Sequence, residues 1–309
     1  DDGHLYSSKP PVLTLILAGI LKGFELFGGK FRFGKNYDAV PTFLLTWLVI
    51  GTTSATTFYW FRRKVGAFNG GLEADLVTIV TLGGTLFLVY STTMNHHTFT
   101  AALILLSFFA LGMAEGRRKI PSWRAALAGL MMGLGVVVDC GHGFIFSIAF
   151  ALYILFYMHS VQTLIAFALG SVPPLAVHCA VQYSIWESIL PVQLIGGTKD
   201  FPHSYAKAKI GPDSWDLPRY KYWLLTLFST RGLFLLSPVL LVGVSGLINT
   251  LRRSSRGLKA AKENTCGKGY AALSVLFGVV FLITYYSFKA NTNFCGACFG
   301  FRWYIGFSP

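Results

Sequence analysis

The first nine residues combine side chains suited to acid–base chemistry and phosphate binding. Asp1, Asp2, His4, Tyr6 and Lys9 supply two carboxylates, an imidazole, a phenol and an ammonium. A carboxylate of this kind can act as a general base or a metal ligand, and an ammonium can bind phosphate. The alternative is a solvated loop that precedes a helix. The functional interpretation makes Asp2 catalytic and His4, Tyr6 and Lys9 substrate-binding.

Two further polar groups interrupt strongly apolar sequence. One is Asn95-His96-His97, and the other is the pair Asp139 and His142, separated by Cys140-Gly141. Adjacent histidines at a helix start can ligate a metal or bind a phosphoryl oxygen, while Asn95 could equally cap the helix. Asp139 could orient His142 as a base, or could cap the following helix. The functional interpretation makes Asp139 and His142 catalytic and Asn95, His96 and His97 substrate-binding.

Two arginines enter apolar stretches late in the chain. Arg302 stands at the start of one such stretch, and Arg231 at the head of another. A guanidinium at the edge of hydrocarbon is costly unless it meets an anion, and its fork geometry suits phosphate. Both are therefore predicted to bind substrate. Cys295-Gly-Ala-Cys298 is a single CxxC, for which a local disulfide or no bond is favoured over zinc.

The composition is that of an integral membrane protein. Of 309 residues, 53% are hydrophobic and only 13% are charged, with a mean hydropathy of +0.56. Soluble domains carry about 25% charged residues, and several apolar runs reach the roughly 17–25 residues that a membrane-spanning helix needs. The net charge of +13 lies mostly at helix ends. It therefore points to anionic lipid headgroups or a phosphate-bearing substrate, and no nucleic-acid partner is expected.

The apolar runs predict an all-α fold with about eight transmembrane helices and one amphipathic helix. The amphipathic helix, Val12 to Phe27, is short and contains Lys22 and Glu25, so we expect it to lie in the membrane interface and to end at Gly28-Gly29. Kinks are expected at Pro173-Pro174 and Pro238. The predicted spans are 39–60, 73–91, 97–114, 122–138, 143–158, 161–182, 223–250 and 271–288.

The same pattern predicts one polytopic transmembrane domain over residues 1–309. It comprises an outer loop with the interfacial helix (1–38), a helix bundle (39–182), a second outer loop (183–222) and further spans (223–309). The chain ends at Pro309 in what resembles the first turns of another apolar helix. It begins at Asp1 without a methionine or a signal-like segment. We expect the sequence to be an internal part of a longer protein.

The short basic loops predict the orientation. Arg62-Arg63-Lys64, Arg117-Arg118-Lys119 and Arg252-Arg253 fall on one side by alternation, and the positive-inside rule assigns that side to the cytoplasm. The polar groups described above then lie on the outer side. We expect a multi-pass protein of a bacterial inner or plasma membrane with its active face outward.

Several of these motifs occur together in one superfamily. Ser7-Ser8-Lys9-Pro10-Pro11, followed by an amphipathic helix, resembles the first outer loop of the C-type membrane glycosyltransferases, which include protein O-mannosyltransferases and lipid A aminoarabinose transferases. Asn95-His96-His97 falls where the family often has an Asp after the third span. Asp139, Arg231-Gly-Leu-Phe with Ser237-Pro238, and Phe299-Gly-Phe-Arg302-Trp resemble later family patterns. The family's principal catalytic Asp lies upstream of the Lys-Pro-Pro loop.

The resemblance implies a hexosyl- or pentosyltransferase that is mannosyltransferase-like in its donor. Sugar would pass, with inversion, from a polyprenyl-phosphate donor to a glycan, lipid or protein acceptor on the outer face. A base would deprotonate the acceptor hydroxyl, Lys9 and Arg302 would hold the phosphate, and the loop 183–222 would cover donor or acceptor. A divalent metal is a candidate cofactor that the resemblance leaves open.

Two other classes remain open at this stage. A transporter or flippase for a lipid-linked or anionic solute should show related halves and ionisable residues near the middle of the bilayer. The ionisable residues here gather at one face instead, which favours the enzyme. In a non-catalytic assembly subunit, the polar groups would be solvated loops.

Overall fold

The computed structural model of the chain describes residues 11–28, 39–67, 70–189, 219–229, 232–257 and 263–288. Within these ranges 86% of the residues are helical and none forms a strand, in agreement with the predicted all-α class. The helices are α1 (Pro11–Leu26), α2 (Ala39–Leu45), α3 (Thr52–Gly66), α4 (Gly71–Thr78), α5 (Leu86–Ser91), α6 (His96–Ala110), α7 (Ser122–Val138), α8 (Cys140–Tyr153), α9 (Val161–Trp186), α10 (Arg219–Phe228), α11 (Leu233–Leu236), α12 (Val239–Gly257) and α13 (Glu263–Phe288), with π-helical stretches at Thr46–Gly51, Ile79–Gly83 and Ile154–Met158.

Three helical segments are long and apolar enough to cross a membrane. They are Cys140–Met158, Val161–Ile185 and Thr265–Thr284, and they correspond to the predicted spans 143–158, 161–182 and 271–288. Helices α6 and α7 are apolar but shorter. These segments mark the chain as an all-α membrane protein, while the count of eight spans stays a prediction.

Two predicted spans are interrupted, and the interruptions meet. The span 73–91 breaks at Gly84-Thr85, and the span 223–250 breaks around Ser237-Pro238. The N–H of Leu86 donates to Oγ of Ser237 at 3.2 Å in a buried contact. A broken helix in hydrocarbon must re-pair its backbone groups, and Ser237 at the second break supplies the partner of one backbone N–H at the first. Where a kink is expected at Pro238, the structure has a break between two helices, whereas α9 continues as one helix through Pro173 and Pro174.

The centre of the bundle is the contact between α7 and α9. A side-chain carbon at Gly129 would overlap the carbonyl of Phe167, and one at Gly170 would overlap the carbonyl of Ala126. Small residues at such positions let two helix backbones approach closely, as is common in membrane helix pairs. The buried aromatic residues Phe146, Phe150 and Tyr153 of α8 complete the core on the other side of α7.

Helix α1 confirms the predicted segment to within one residue at each end. Its residues Leu13, Ile16, Leu17 and Ile20 form one face, which packs with Val12 on a cluster that includes Phe99 of α6 and Val137 and Val138 of α7. Beyond its end, Gly28 adopts φ 86°, the left-handed conformation favoured after a helix terminus. The exposed Lys22 and Glu25 pair at 2.8 Å. The location of α1 in the membrane interface stays a prediction.

The three basic clusters lie at one end of the bundle. Lys64 pairs with Glu115, which joins the end of α3 to the loop after α6. Oη of Tyr157 donates to the carbonyl of Gly116 in that loop at 2.7 Å. Gly267 packs against Gly116, and Gly269 packs against Ser254, which follows Arg252-Arg253. The grouping of these clusters agrees with the alternation argument, while their cytoplasmic location stays a prediction.

Candidate functional site

The structure brings together every predicted site residue that it describes. Asp2, His4, Tyr6, Lys9, Arg231 and Arg302 lie outside the described residues, as do Cys295 and Cys298. The other five meet at the end of the bundle opposite the basic clusters, where α6 begins and where α7 passes into α8. These five are Asn95, His96, His97, Asp139 and His142.

Asn95 fixes the first turn of α6. Its backbone is extended, and its side-chain oxygen accepts a hydrogen bond from the N–H of His97 at 2.9 Å. This is the capping role that the sequence offered as one alternative for Asn95. The cap holds His96 and His97 at the helix start, with their ring centroids 4.0 Å apart. His97 is buried, whereas His96 is half-buried.

Asp139 is the single residue between α7 and α8. Its φ of −141° and ψ of 87° end α7, and α8 begins at the next residue. Such a short connection forces α8 back onto α7. Contact there is so close that a side-chain carbon at Gly143 would overlap backbone atoms of Gly135 and Val136. His142 lies one turn beyond Asp139 and faces the same interior, where it is 1% exposed.

The Asp139 carboxylate joins the two elements. Its Oδ2 lies 2.5 Å from Nδ1 of His97 and 2.7 Å from Nδ1 of His142. An ionised carboxylate only accepts hydrogen bonds, so both imidazoles donate through Nδ1. Asp139 is the N-cap residue of α8, as the second alternative predicts, but its side chain makes no capping bond. The carboxylate binds the two imidazoles instead.

The charge of Asp139 follows from these contacts. Burial alone would raise the pKa of Asp139, but the charges and hydrogen bonds of His142 and His97 outweigh burial and hold that pKa well below its usual range. A carboxylate is thus maintained at the end of the bundle with little exposure to water. The rings of His97 and His142 also contact each other edge to face, with centroids 5.4 Å apart.

Three residues of the cluster are arranged so that they could hold a metal ion. His96, His97 and Asp139 each offer one ligand atom, and these atoms lie within 4.8 Å of one another. The three residues come from two segments of the chain, and His97 and Asp139 are 42 positions apart. Their convergence depends on the packing of α6 against the α7–α8 connection.

An apolar groove lies beside this site. It has a volume of about 850 Å³ and runs along α2 and α3, past Trp47 and Phe58, against the segment that follows α5. Met94, which lines it, immediately precedes the capping residue Asn95. The buried hydroxyl of Ser54 also lines it and has no hydrogen-bond partner among the described residues. The length from Thr42 to Phe58 is about 24 Å of helix.

The sequence interpretation missed one buried ionisable residue. His178 lies on α9 within the candidate span Val161–Ile185, is 6% exposed, and its Nδ1 has no partner among the described residues. It stands one turn after Leu175, which packs on the cluster of Val137 and Val138. An imidazole inside a long apolar run is the signal that could have identified it.

Comparisons with protein-family models, curated proteins and solved structures find no match.

Proposed function

We propose that the protein is a membrane glycosyltransferase that moves a sugar from a polyprenyl-phosphate donor to an acceptor at the end of the bundle where α6 begins. The observation that carries this proposal is the buried carboxylate of Asp139, bonded to two imidazoles beside an apolar groove. Together they offer what the reaction requires: a base, and an apolar site for an isoprenoid chain.

The groove suits the lipid part of such a donor. Its exposed aromatic residues Phe43 and Trp47 lie among threonines whose hydroxyl protons bond to the preceding turn of their own helix, as with Thr46 and the carbonyl of Thr42 at 2.7 Å. The remaining surface is apolar enough for an isoprenoid chain. A chain lying there would bring its phosphate toward Met94 and the start of α6.

The cluster suits the chemistry of the sugar. The acceptor oxygen would attack the anomeric carbon as the bond from that carbon to the phosphate oxygen breaks, with inversion. The acceptor proton would pass to the Asp139–His97 pair. Polyprenyl phosphate leaves as a stable anion, so no strong general acid is needed. Because His142 is fully buried, its role in this proposal is to position Asp139 rather than to touch the substrate.

The assignment of charged residues to the phosphate is based on the family resemblance. Lys9 and Arg302 would bind the phosphate, with Arg231, His4, Tyr6 and the partly exposed His96 around the sugar and acceptor. Unchanged turnover in both Lys9→Ala and Arg302→Ala would contradict the phosphate-binding roles.

The decisive experiment compares two carboxylates at opposite ends of the bundle. The full-length protein is assayed for sugar release from a polyprenyl-phosphate donor, alongside Asp139→Asn and the control Asp75→Asn. A general base contributes about 10²–10⁴-fold, so Asp139→Asn should lose at least about 100-fold while Asp75→Asn retains the wild-type rate. Equal rates in the two variants, or no turnover by the wild type with any donor, would contradict the proposal.

The groove has its own test. Trp47→Ala should raise the KM for a long-chain donor and leave the KM for a short-chain donor unchanged. Trp123→Ala is the matched control, because Trp123 is similarly exposed but begins α7 at the other end of the bundle. An equal effect of both variants on both donors would argue against lipid binding in the groove.

A transporter or flippase is the second candidate because of His178. A buried ionisable residue inside a candidate span is typical of solute or proton pathways. Flux of a lipid-linked or anionic solute into vesicles containing the full-length protein, abolished by His178→Ala, would support this candidate. Sugar transfer without flux would exclude it.

A further inference from the structure

We propose that His96, His97 and Asp139 form a binding site for a divalent transition-metal ion of the zinc type. Each residue contributes one ligand atom, and the three atoms already lie within 4.8 Å of one another. Zinc bonds to imidazole nitrogen and carboxylate oxygen measure about 2.0–2.2 Å, so the ligand atoms around a tetrahedral ion are about 3.4 Å apart. Side-chain rotations that bring the most distant pair of ligand atoms up to about 1.4 Å closer would complete the site.

The ligand types select the metal. Magnesium and calcium prefer sites built from oxygen atoms alone, whereas two imidazoles and one carboxylate suit zinc and its first-row neighbours. Three protein ligands leave one coordination position open, which is the arrangement of catalytic rather than structural zinc sites. That position would accept an oxygen, from water or from a phosphate.

The surroundings support binding of a cation. Asp139 is a buried carboxylate, and removing such a charge from water is costly unless a positive partner offsets it. His142 donates to Oδ2 of Asp139 at 2.7 Å, the contact by which residues around metal sites orient carboxylate ligands. Access is available through His96, since this ring is half-buried while His97 and Asp139 are buried.

The test measures metal binding directly and needs no substrate. The full chain is purified in detergent with an affinity tag that contains no histidine, stripped with a chelator and titrated with Zn²⁺ or Co²⁺ alone. We expect one ion per chain and, with Co²⁺, the visible absorption of a four-coordinate site.

Variants then identify the ligands. His96→Ala and Asp139→Asn should weaken zinc binding by at least about 100-fold, and His142→Asn by about 10–100-fold with one site retained. His96→Cys should bind better than His96→Ala because a thiolate also ligates zinc. His159→Asn is the control: it removes a histidine at the opposite end, where φ is 49° and asparagine is tolerated.

Each outcome decides the proposal. Stoichiometric binding that is lost in His96→Ala, recovered in His96→Cys and unchanged in His159→Asn supports it. Absence of stoichiometric binding by the wild type, equal affinity in His96→Ala, or equal loss in the control overturns it. If Asp139→Asn does not fold, the comparison of His96→Ala with His96→Cys still tests the proposed zinc site.

The zinc site does not rest on the proposed glycosyl transfer. Zinc binding without sugar transfer would support the site and count against the proposed function. Sugar transfer by a protein that binds no zinc would support the proposed function and contradict the zinc site.

Discussion

The two ends of the helix bundle contain carboxylates in opposite circumstances. At the basic end, Asp75 pairs with Arg62, and the two side chains are 44% and 52% exposed. At the other end, the Asp139 side chain is 9% exposed and shares one oxygen between two imidazoles. At the basic end, a cation pairs with the exposed carboxylate of Asp75, whereas the buried carboxylate of Asp139 depends on hydrogen bonds from two imidazoles.

The two ends of the bundle are therefore suited to different tasks, one to orienting the protein in the membrane and the other to chemistry. Exposed ion pairs contribute little to stability and are screened by salt, so the basic end is suited to contact with charged lipid headgroups. A buried charge, by contrast, is costly to retain and is strongly destabilising once a partner is removed. Perturbed ionisable groups cluster at functional sites, so the comparison supports the site proposed at the Asp139 end.

The largest expected effect comes from the connection that holds Asp139. Gly143→Ala would place a methyl group on backbone atoms of Gly135 and Val136, so we expect a loss of about 3 kcal/mol in the free energy of unfolding. The measurement is thermal unfolding in detergent. Gly19→Ala is the control, because nothing lies within 4 Å of a side-chain carbon at Gly19. Equal melting temperatures for the two variants would contradict the tight connection.

A comparable effect is expected when the buried carboxylate is removed. Asp139→Ala leaves two buried imidazole N–H groups without their acceptor, each at a cost of about 1–3 kcal/mol. Thermal unfolding of Asp139→Ala and of Asp75→Ala, measured side by side, gives the comparison. A greater loss in Asp75→Ala would reverse the assignment of the two ends.

The Lys64–Glu115 pair should be intermediate. These side chains are 18% and 22% exposed, and the pair ties α3 to the loop after α6. Lys64→Met keeps the length of the side chain and removes its charge, so we expect a loss of about 1 kcal/mol. Repeating the melt in high salt should leave most of this difference in place, since a partly buried pair is weakly screened.

The smallest effect is expected at Arg62. Arg62→Gln breaks an exposed pair, so its melting temperature should be indistinguishable from that of the wild type in high salt. A clear loss of stability that persists in high salt would show that the basic end is more than a solvated surface.

The sequence was sufficient for the local features of the fold. Pro11 and Gly28 bound α1 to within one residue of the prediction because helix initiation and termination depend on neighbouring residues. The polar groups at Asn95–His97 and Asp139–His142 could be placed at one end because helices of known length alternate in direction. The capping role of Asn95 is likewise one of the two interpretations that the sequence allows, the other being substrate binding.

Other features depend on packing between distant segments. That one oxygen of Asp139 binds both His97 and His142 requires the contact of α6 with the α7–α8 connection, which hydropathy does not report. The sequence predicts continuous spans through Gly84-Thr85 and Ser237-Pro238, because the contact between Leu86 and Ser237 joins residues 151 positions apart. The sequence prediction also leaves out His178, whose burial depends on how α9 packs in the bundle.

The contact between Leu86 and Ser237 also affects how the protein is made. The two residues are 151 positions apart, and ribosomes add about 5–20 residues per second. The N–H of Leu86 is therefore synthesised about 8–30 s before its acceptor. During that interval the first part of the chain carries an unpaired backbone group in an apolar environment, so its final arrangement must wait for the second part. Biogenesis of this protein should thus depend on the insertion machinery retaining the early helices until Ser237 arrives.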